Sequence, residues 1–314
     1  MLGLAATVLA ASDIVWAQTS RAIGLLVPFA PGGIADLTAR AVARAMAQSL
    51  GQAVVVENRP SASSIVASQA VASARPDGHT LLLMSNSNAL SATLFKKLPY
   101  DTLKAFAPIS TIGFFDIGVF ASVAGRIASL HQALTLARAE PGKLTLGTIS
   151  VGSTQHLAAE LFKALTGIDA LIVPYKTSPA VHTALRAGEV DLAFEFLAPM
   201  LAQVEAGAVR ALAVAAASRS PVLPEVPTVQ QAGVAGYAVA SWNALAAPAG
   251  TPHEVLERLN RAVRDAVAAP ALREQFGKLG VRLHAGAPAE LQALLSSEVS
   301  RWAAVIRAAK IEPQ

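Results

Sequence analysis

Apolar residues in this chain come in short runs closed by turn formers, and after each glycine-rich turn the spacing changes from that of a strand to that of a helix. Leu25-Leu26-Val27 reads as a buried strand, stopped by Pro28 and Pro31. Gly32-Gly33 then frees the backbone, and Ile34, Leu37, Val42, Met46 and Leu50 form one helical stripe that Gly51 terminates. Residues 53–56 predict a second strand. The turn Ser61-Ala62-Ser63-Ser64 follows, with hydroxyls able to cap a helix running through Ile65, Val66, Ala70 and Val71. Pro76-Asp77-Gly78 is a turn, residues 80–84 a third strand, and Ser85-Asn86-Ser87-Asn88 a polar stretch at its end.

The plan recurs from Lys143. Residues 144–147 predict a strand and 149–154 a Gly/Ser loop, followed by Leu157, Leu161 and Leu165 on a helical stripe ending at Gly167. A strand over 170–173 comes next. Pro174-Tyr175-Lys176-Thr177-Ser178-Pro179 then leads into a helix ending at Gly188, with further strands over 192–196 and 209–216. Residues 218–227, rich in proline, read as a return linker, and helices are expected near 252–268, 270–279 and 288–309. The two halves share an architecture but not residues, which predicts two α/β lobes. Strands alternating with helices argue parallel pairing with helices on both faces, and in such sheets ligands sit beyond the carboxyl ends of the strands. A strand entering a helix through a glycine turn bares N–H groups, and the helix dipole adds partial positive charge, so residues 29–33 could hold an anion. An ordinary strand–helix turn fits the same spacing equally well.

Composition narrows the classes. The chain has 314 residues, 53% of them hydrophobic and 15% charged, which excludes a disordered protein. It has no cysteine, so disulfides, thiolate zinc sites and a cysteine nucleophile are excluded. The net charge is +4 with basic residues scattered, and aromatics, at 5%, do not alternate with them, which argues against nucleic acid. Residues 2–11 are an apolar run too short to span a bilayer. Val15-Trp16-Ala17 then offers small residues at the −3 and −1 positions of a cleavage site, although a basic n-region is missing. We read 1–17 as a secretory signal and expect no transmembrane helix.

Catalytic signatures fail one by one. In Gly147-Thr148-Ile149-Ser150 the glycine is one residue too far from the serine for a nucleophile elbow. His156 and Glu160 stand at i, i+4, but no second histidine has ligand spacing, so no metal site is expected. Asp191 and Glu195 share strand parity at opposite ends of one strand, and no phosphate-binding loop with its lysine occurs. Polar loops with backbone donors and hydroxyls remain, and they favour binding over turnover.

Val27-Pro28-Phe29-Ala30-Pro31-Gly32-Gly33, with Asp36 and Arg40, resembles the opening motif of the Bug-type solute-binding receptors of tripartite tricarboxylate transporters. The resemblance continues through Glu57-Asn58-Arg59-Pro60, Pro76-Asp77-Gly78-His79-Thr80, Leu98-Pro99-Tyr100-Asp101, His156 to Phe162, Val173-Pro174-Tyr175-Lys176, Arg210 to Val214 and Trp242 to Pro252, covering residues 22–312. It implies an α/β, two-lobed periplasmic-binding-protein-like clamp, each lobe a mixed sheet flanked by helices, with two chain crossovers. Lobe I would be 18–109 and 220–314, and lobe II 110–219. The family's ligand loops, carried over, make Phe29, Ala30, Pro31, Gly32, Gly33 and Asp36 one jaw, with Ser87 at the third strand's end. Ser150, Gly152, Ser153, Thr154 and Tyr175 make the other, with Glu195 beside it. The resemblance also implies a small organic carboxylate as ligand, membrane transporter subunits as partners, a monomer, periplasmic location and no cofactor. Ser61-Ala62-Ser63-Ser64 stand where the family usually has Gly-Ala-Gly-Gly, Ser150 where it often has glycine, and Thr177-Ser178 where it often has Gly-Gly. Either the pocket offers extra donors for a more hydroxylated ligand, or this member has drifted from transport.

The best reading is a non-enzymatic receptor. A ligand-gated sensor of the same fold and an α/β hydrolase are the alternatives. Protein exported from its native host should begin at Gln18 on N-terminal sequencing, and retention of Met1 would overturn the assigned cleavage bond.

Overall fold

The computed structural model describes residues 21–308, so the leader expected over 1–17 and its cleavage bond lie outside the described residues. The chain opens with β1 (Ile23–Val27), α1 (Ile34–Leu50), β2 (Val54–Asn58), a 3-10 turn (Ala62–Ser64), α2 (Ile65–Ala72), β3 (Thr80–Ser85) and α3 (Asn86–Leu94). β4 (Phe106–Ser122) leads to α4 (Leu130–Ala139), β5 (Leu144–Ile149), α5 (Thr154–Thr166), β6 (Ala170–Tyr175), α6 (Ser178–Ala187), β7 (Leu192–Phe196), α7 (Leu197–Glu205) and β8 (Val209–Val214). β9 (Ala240–Pro248), α8 (His253–Ala268), α9 (Pro270–Gly277), β10 (Val281–Leu283) and α10 (Pro288–Ala308) complete it.

The strands follow one continuous path, β2-β1-β3-β9-β4-β7-β5-β6, with β8 and β10 also on β4. Pairing is parallel within β2-β1-β3 and within β7-β5-β6, as the strand–helix alternation predicts. At the centre β9 is antiparallel to both β3 and β4, and β7 is antiparallel to β4. The sheet is therefore mixed. β4 carries both lobes. Its residues 106–116 pair with β9, and residues 117–122 pair with β7 and β8. The chain returns beside the same point, where Val239 N donates to Ala215 O and Ala240 pairs with Asp116.

One apolar core runs through the junction. Leu82 and Met84 of β3, Leu146 of β5, Phe162 of α5, Phe194 of β7, Trp242 of β9 and Trp302 of α10 belong to a single buried cluster. Phe162 lies 5.5 Å from the Phe194 ring and 6.1 Å, edge-on, from Tyr237, whose hydroxyl donates to Ala158 O. On α1 the predicted stripe is buried at Val42 and Met46, where Ala39 and Ala43 join it, while Ile34 and Leu50 are half-buried and Leu37 is exposed. It sits three and seven residues before Arg40 and Arg44, on the solvent side of the helix.

Phe162→Ala should remove buried aromatic packing and leave a cavity, lowering unfolding stability by about 3–5 kcal/mol. Urea denaturation measures it. A loss under about 1 kcal/mol would mean that the site collapses to refill the space.

Candidate ligand-binding cleft

Strand direction creates the cleft. β3 runs parallel to β4 while β7 runs against it, so their carboxyl ends point at one another along β4. Ser85, the last residue of β3, is aligned through Asn243 with Gly113 of β4, and Phe196, the last of β7, is opposite Ile117. Four residues of β4 separate the two ends, roughly 13 Å at the ordinary strand rise. The loops that leave β1, β3, β5, β6 and β7 therefore converge on one seam.

The lobe I loop is built by hydrogen bonds. Gly32 takes φ +85°, a left-handed conformation that a side chain would strain. Its N–H donates to Asp36 Oδ2 at 2.9 Å. The Asp36 carboxylate also accepts from Arg40 Nε at 3.0 and 3.1 Å and from Asn58 Nδ2 at 2.8 Å. Asn58 Nδ2 donates in addition to Phe29 O at 3.0 Å, tying both sides of the turn to β2. Asp36 is almost wholly buried, and both its oxygens are engaged. Burial pushes its carboxyl pKa up, but the hydrogen bonds from Arg40, Gly32 and Asn58 and the Arg40 charge outweigh it, leaving the group below its ordinary value. Ala30, Pro31, Gly32 and Gly33 are exposed at the mouth. Gly33 is extended at φ −75°, ψ 163°, and a Cβ added there would meet Ala30 O at 3.9 Å, an ordinary contact.

Ser87 lies in the first turn of α3, its N–H donating to Ser85 Oγ. The run Ser85-Asn86-Ser87-Asn88, polar enough to read as loop, starts that helix. Ser85 Oγ accepts from Ser87 N, and Asn88 Oδ1 accepts from Ser85 N at 2.9 Å, closing a capping box.

In lobe II, Ser150 N donates to Tyr175 O at 2.8 Å, linking the ends of β5 and β6. Ser153 caps α5, its Oγ accepting from His156 N at 3.0 Å and donating to Ile149 O at 2.9 Å. Burial, with a smaller contribution from Lys163, lowers His156 to a pKa of about 4. It is a neutral packed side chain whose Nε2 lies 4.0 Å from Glu160, and no metal-binding cluster occurs among the described residues. Tyr175 is partly exposed, and its pKa is raised by burial and by Glu189. Asp191 is spent on Thr145, accepting from its N–H at 3.0 Å and its hydroxyl at 2.9 Å. Glu195, at the other end of β7, is fully buried.

The two lobes meet across the seam. A Cβ built at Gly152 would stand 2.7 Å from Ser63 Oγ and 3.1 Å from Leu94 Cδ2. Thr154 Oγ1 and Ser241 Oγ are 3.4 Å apart, and the Phe115 and Phe196 rings 6.0 Å. Ser63 and Ser64 hold φ values of 51° and 65°, the region glycine enters freely. Buried polar atoms without hydrogen-bond partners among the described residues gather around these strand ends: Ser64 Oγ, Asn86 Oδ1, Thr148 Oγ1, Asn243 Nδ2 and Glu195 Oε2. The spacing of motifs singled out the loops but not Ser241, Asn243, Gln155 or Asn58. Of these, Asn58 stood in the Glu-Asn-Arg-Pro motif and Asn243 in the run from Trp242 to Pro252, the signals that could have found them.

The family model described as tripartite tricarboxylate transporter family receptor matches residues 38–311. Among solved structures, the periplasmic binding protein BugD superposes with a TM-score of 0.85 at 30% identity, covering 94% of this chain and 99% of that one. MatC from Rhodopseudomonas palustris, with bound malate, gives 0.83 at 31%, covering 91% and 99%. Rpa4515 of R. palustris, with adipate, gives 0.87 at 32%, covering 95% and 100%. The α/β, periplasmic-binding-protein-like fold implied by the motifs is thereby established.

Asp36→Asn should weaken the charge-assisted bonds to Gly32 and Arg40 and lower stability by about 1–3 kcal/mol. Because the folded-state carboxyl lies below its ordinary value, its stabilisation is present above the unfolded value of about 3.9 and is lost as pH falls through the folded one. Chemical denaturation between about pH 6 and pH 3 should therefore show a shallower acid decline in the variant than in wild type. Equal declines would remove Asp36 as a holder of the turn.

Proposed function

This chain belongs to the tripartite tricarboxylate transporter receptor family, and from that premise we propose that it captures a small organic carboxylate between its lobes and presents it to membrane transporter subunits. It works in the periplasm as a binding protein, without turnover and without a cofactor. The observation that carries this reading is the head-on approach of the ends of β3 and β7 along β4, which brings two sets of helix-starting loops to one seam. The malate of MatC and the adipate of Rpa4515 support the ligand class.

One jaw comprises Phe29, Ala30, Pro31, Gly32 and Gly33 at the start of α1, with Ser87 beside them; Pro31 has no N–H and the Gly32 N–H is given to Asp36, so the amides of Phe29, Ala30 and Gly33 are the donors offered. The other comprises Ser150, Gly152, Ser153, Thr154 and Tyr175 before α5 and α6, with Glu195 behind. None of these residues is a cation. The ligand's negative charge is met by backbone amides, hydroxyls, helix dipoles and bridging waters. Asp36 has no oxygen to spare and acts by shaping the Gly32 turn. Both jaws come from one chain, so a monomer suffices. Closure pivots where β4 changes partners between Asp116 and Ile117, beside the return at Ala240.

Thermal-shift screening against malate, adipate and a library of organic acids tests the reading. A ligand at about 100 times its Kd should add roughly 2.7 kcal/mol. Gly33→Val should fold normally, since residue 33 is extended and has room for a side chain. It should lose the best acid's stabilisation because its methyl groups block the approach to the turn. A folded Gly33→Val protein with wild-type affinity would show that this turn is not a jaw.

A further inference from the structure

We propose that Glu195 is held as a neutral carboxylic acid in the closed clamp and offers Oε2–H as a donor to an oxygen of the anionic ligand. This rests on the carboxylate-receptor reading above and adds a proton to it.

Glu195 lies one residue before the end of β7, opposite Gly118 of β4, with 0% exposure. Its two oxygens are treated unequally. Oε1 accepts from Gln155 Nε2 at 2.9 Å and from Phe196 N at 2.7 Å. Oε2 makes no hydrogen bond among the described residues, although the Ser178 hydroxyl lies near enough to the carboxyl to favour its ionised form. No lysine, arginine or histidine nitrogen among those residues comes within ion-pairing distance of it. Its neighbours from β4, α5 and α6 are Gly118, Gln155 and Ser178, none of which titrates. On those helices the flanking histidines are His156, lowered by burial to about 4, and His182, also lowered by burial, both neutral, and on β4 Asp116, two residues from Gly118, is paired with Arg282. No positive charge compensates an anion at Glu195.

Burial raises the Glu195 carboxyl, and it outweighs the opposing help that Ser178, Gln155 and the Phe196 amide give the ionised form. The position matters as much as the burial. Gln155 is followed back along the chain by Thr154, which touches Ser241 of the other lobe, so the acid stands directly behind the seam. An ionised carboxylate there would repel an incoming carboxylate in a medium too dry to screen it. A protonated one makes an O–H···O⁻ bond, among the shorter and stronger kinds. As the folded value is raised, the competent neutral form prevails at low pH and is lost as pH rises through that value.

The test combines a spectrum and a titration on the full chain. The infrared difference between wild type and Glu195→Gln at neutral pH, without ligand, should contain a protonated-carboxyl C=O band. Saturating malate or adipate should shift that band. Wild-type affinity should fall as pH rises through the raised Glu195 value, while the affinity of Glu195→Gln, whose amide does not titrate, should show no such fall. Absence of the band, or a band unmoved by a saturating acid, overturns the proposal. So does tighter binding by Glu195→Gln, because that would mean the native group is charged. If neither acid binds, the receptor reading fails for those ligands, and the band alone still decides whether Glu195 holds its proton. The band and the pH profile of wild type are read without the variant's affinity, so a Glu195→Gln protein that folds poorly leaves them usable.

Discussion

A single strand of 17 residues, β4, supplies backbone partners to both lobes, and the cleft exists because of how it does so. Each buried N–H and C=O of the neighbouring strands must be paired, and β4 is the only edge available to β9 on one side and to β7 and β8 beyond it among the described residues. Its ladder shifts register between Pro108 and Ser110, between Thr111 and Gly113, and between Val119 and Phe120, which allows a strand of this length to twist as it passes from one lobe to the other. The opposed polarity of β3 and β7 then aims their loops at the same few residues. The apolar core, continuous from Leu82 to Phe194, ties the lobes together behind the opening.

The two buried carboxyl groups near that opening illustrate how environment decides ionisation. Asp36 is surrounded by an amide N–H, an arginine and an asparagine, and remains an anion despite its burial. Glu195 has two neutral donors on one oxygen and nothing on the other, and burial prevails. The first fixes a backbone turn. The second leaves a polar atom without a hydrogen bond at the end of β7. Under the proposed function, a cleft that takes an anion without a lysine or arginine in its jaws would depend on such neutral donors and avoid the strong hydration that a fixed ammonium carries.

Much of the architecture could be read from the chain because local rules and the final fold agree where a strand meets a glycine turn and a helix. β1, β2, β3, β5, β6 and β7 all appear where runs of apolar residues predict them. β9 was not legible as a strand. Both of its faces are buried, so its sequence shows no alternation, and the prolines and glycines around it suggested interruption. α3 was hidden because its capping residues are also turn formers. Within the cleft, loop positions were legible but side-chain duties were not. The state of Asp36 depends on Asn58, 22 residues away, and that of Glu195 on Gln155, 40 residues away. No spacing rule reaches so far.

The clasp of Asp36, Arg40 and Asn58 has a consequence for how such proteins diverge. Each member satisfies the other two, with Arg40 also donating to Asn58 Oδ1 at 2.6 Å. Asp36 is the buried member, so losing Arg40 or Asn58 takes a partner from its carboxylate, and an under-satisfied buried polar group costs more than the bond it made. Single substitutions here should therefore cost stability, most of all at Asp36. The exposed residues of the neighbouring turn, Ala30 and Pro31, carry no such obligation and can vary with the ligand while the clasp beneath them stays the same.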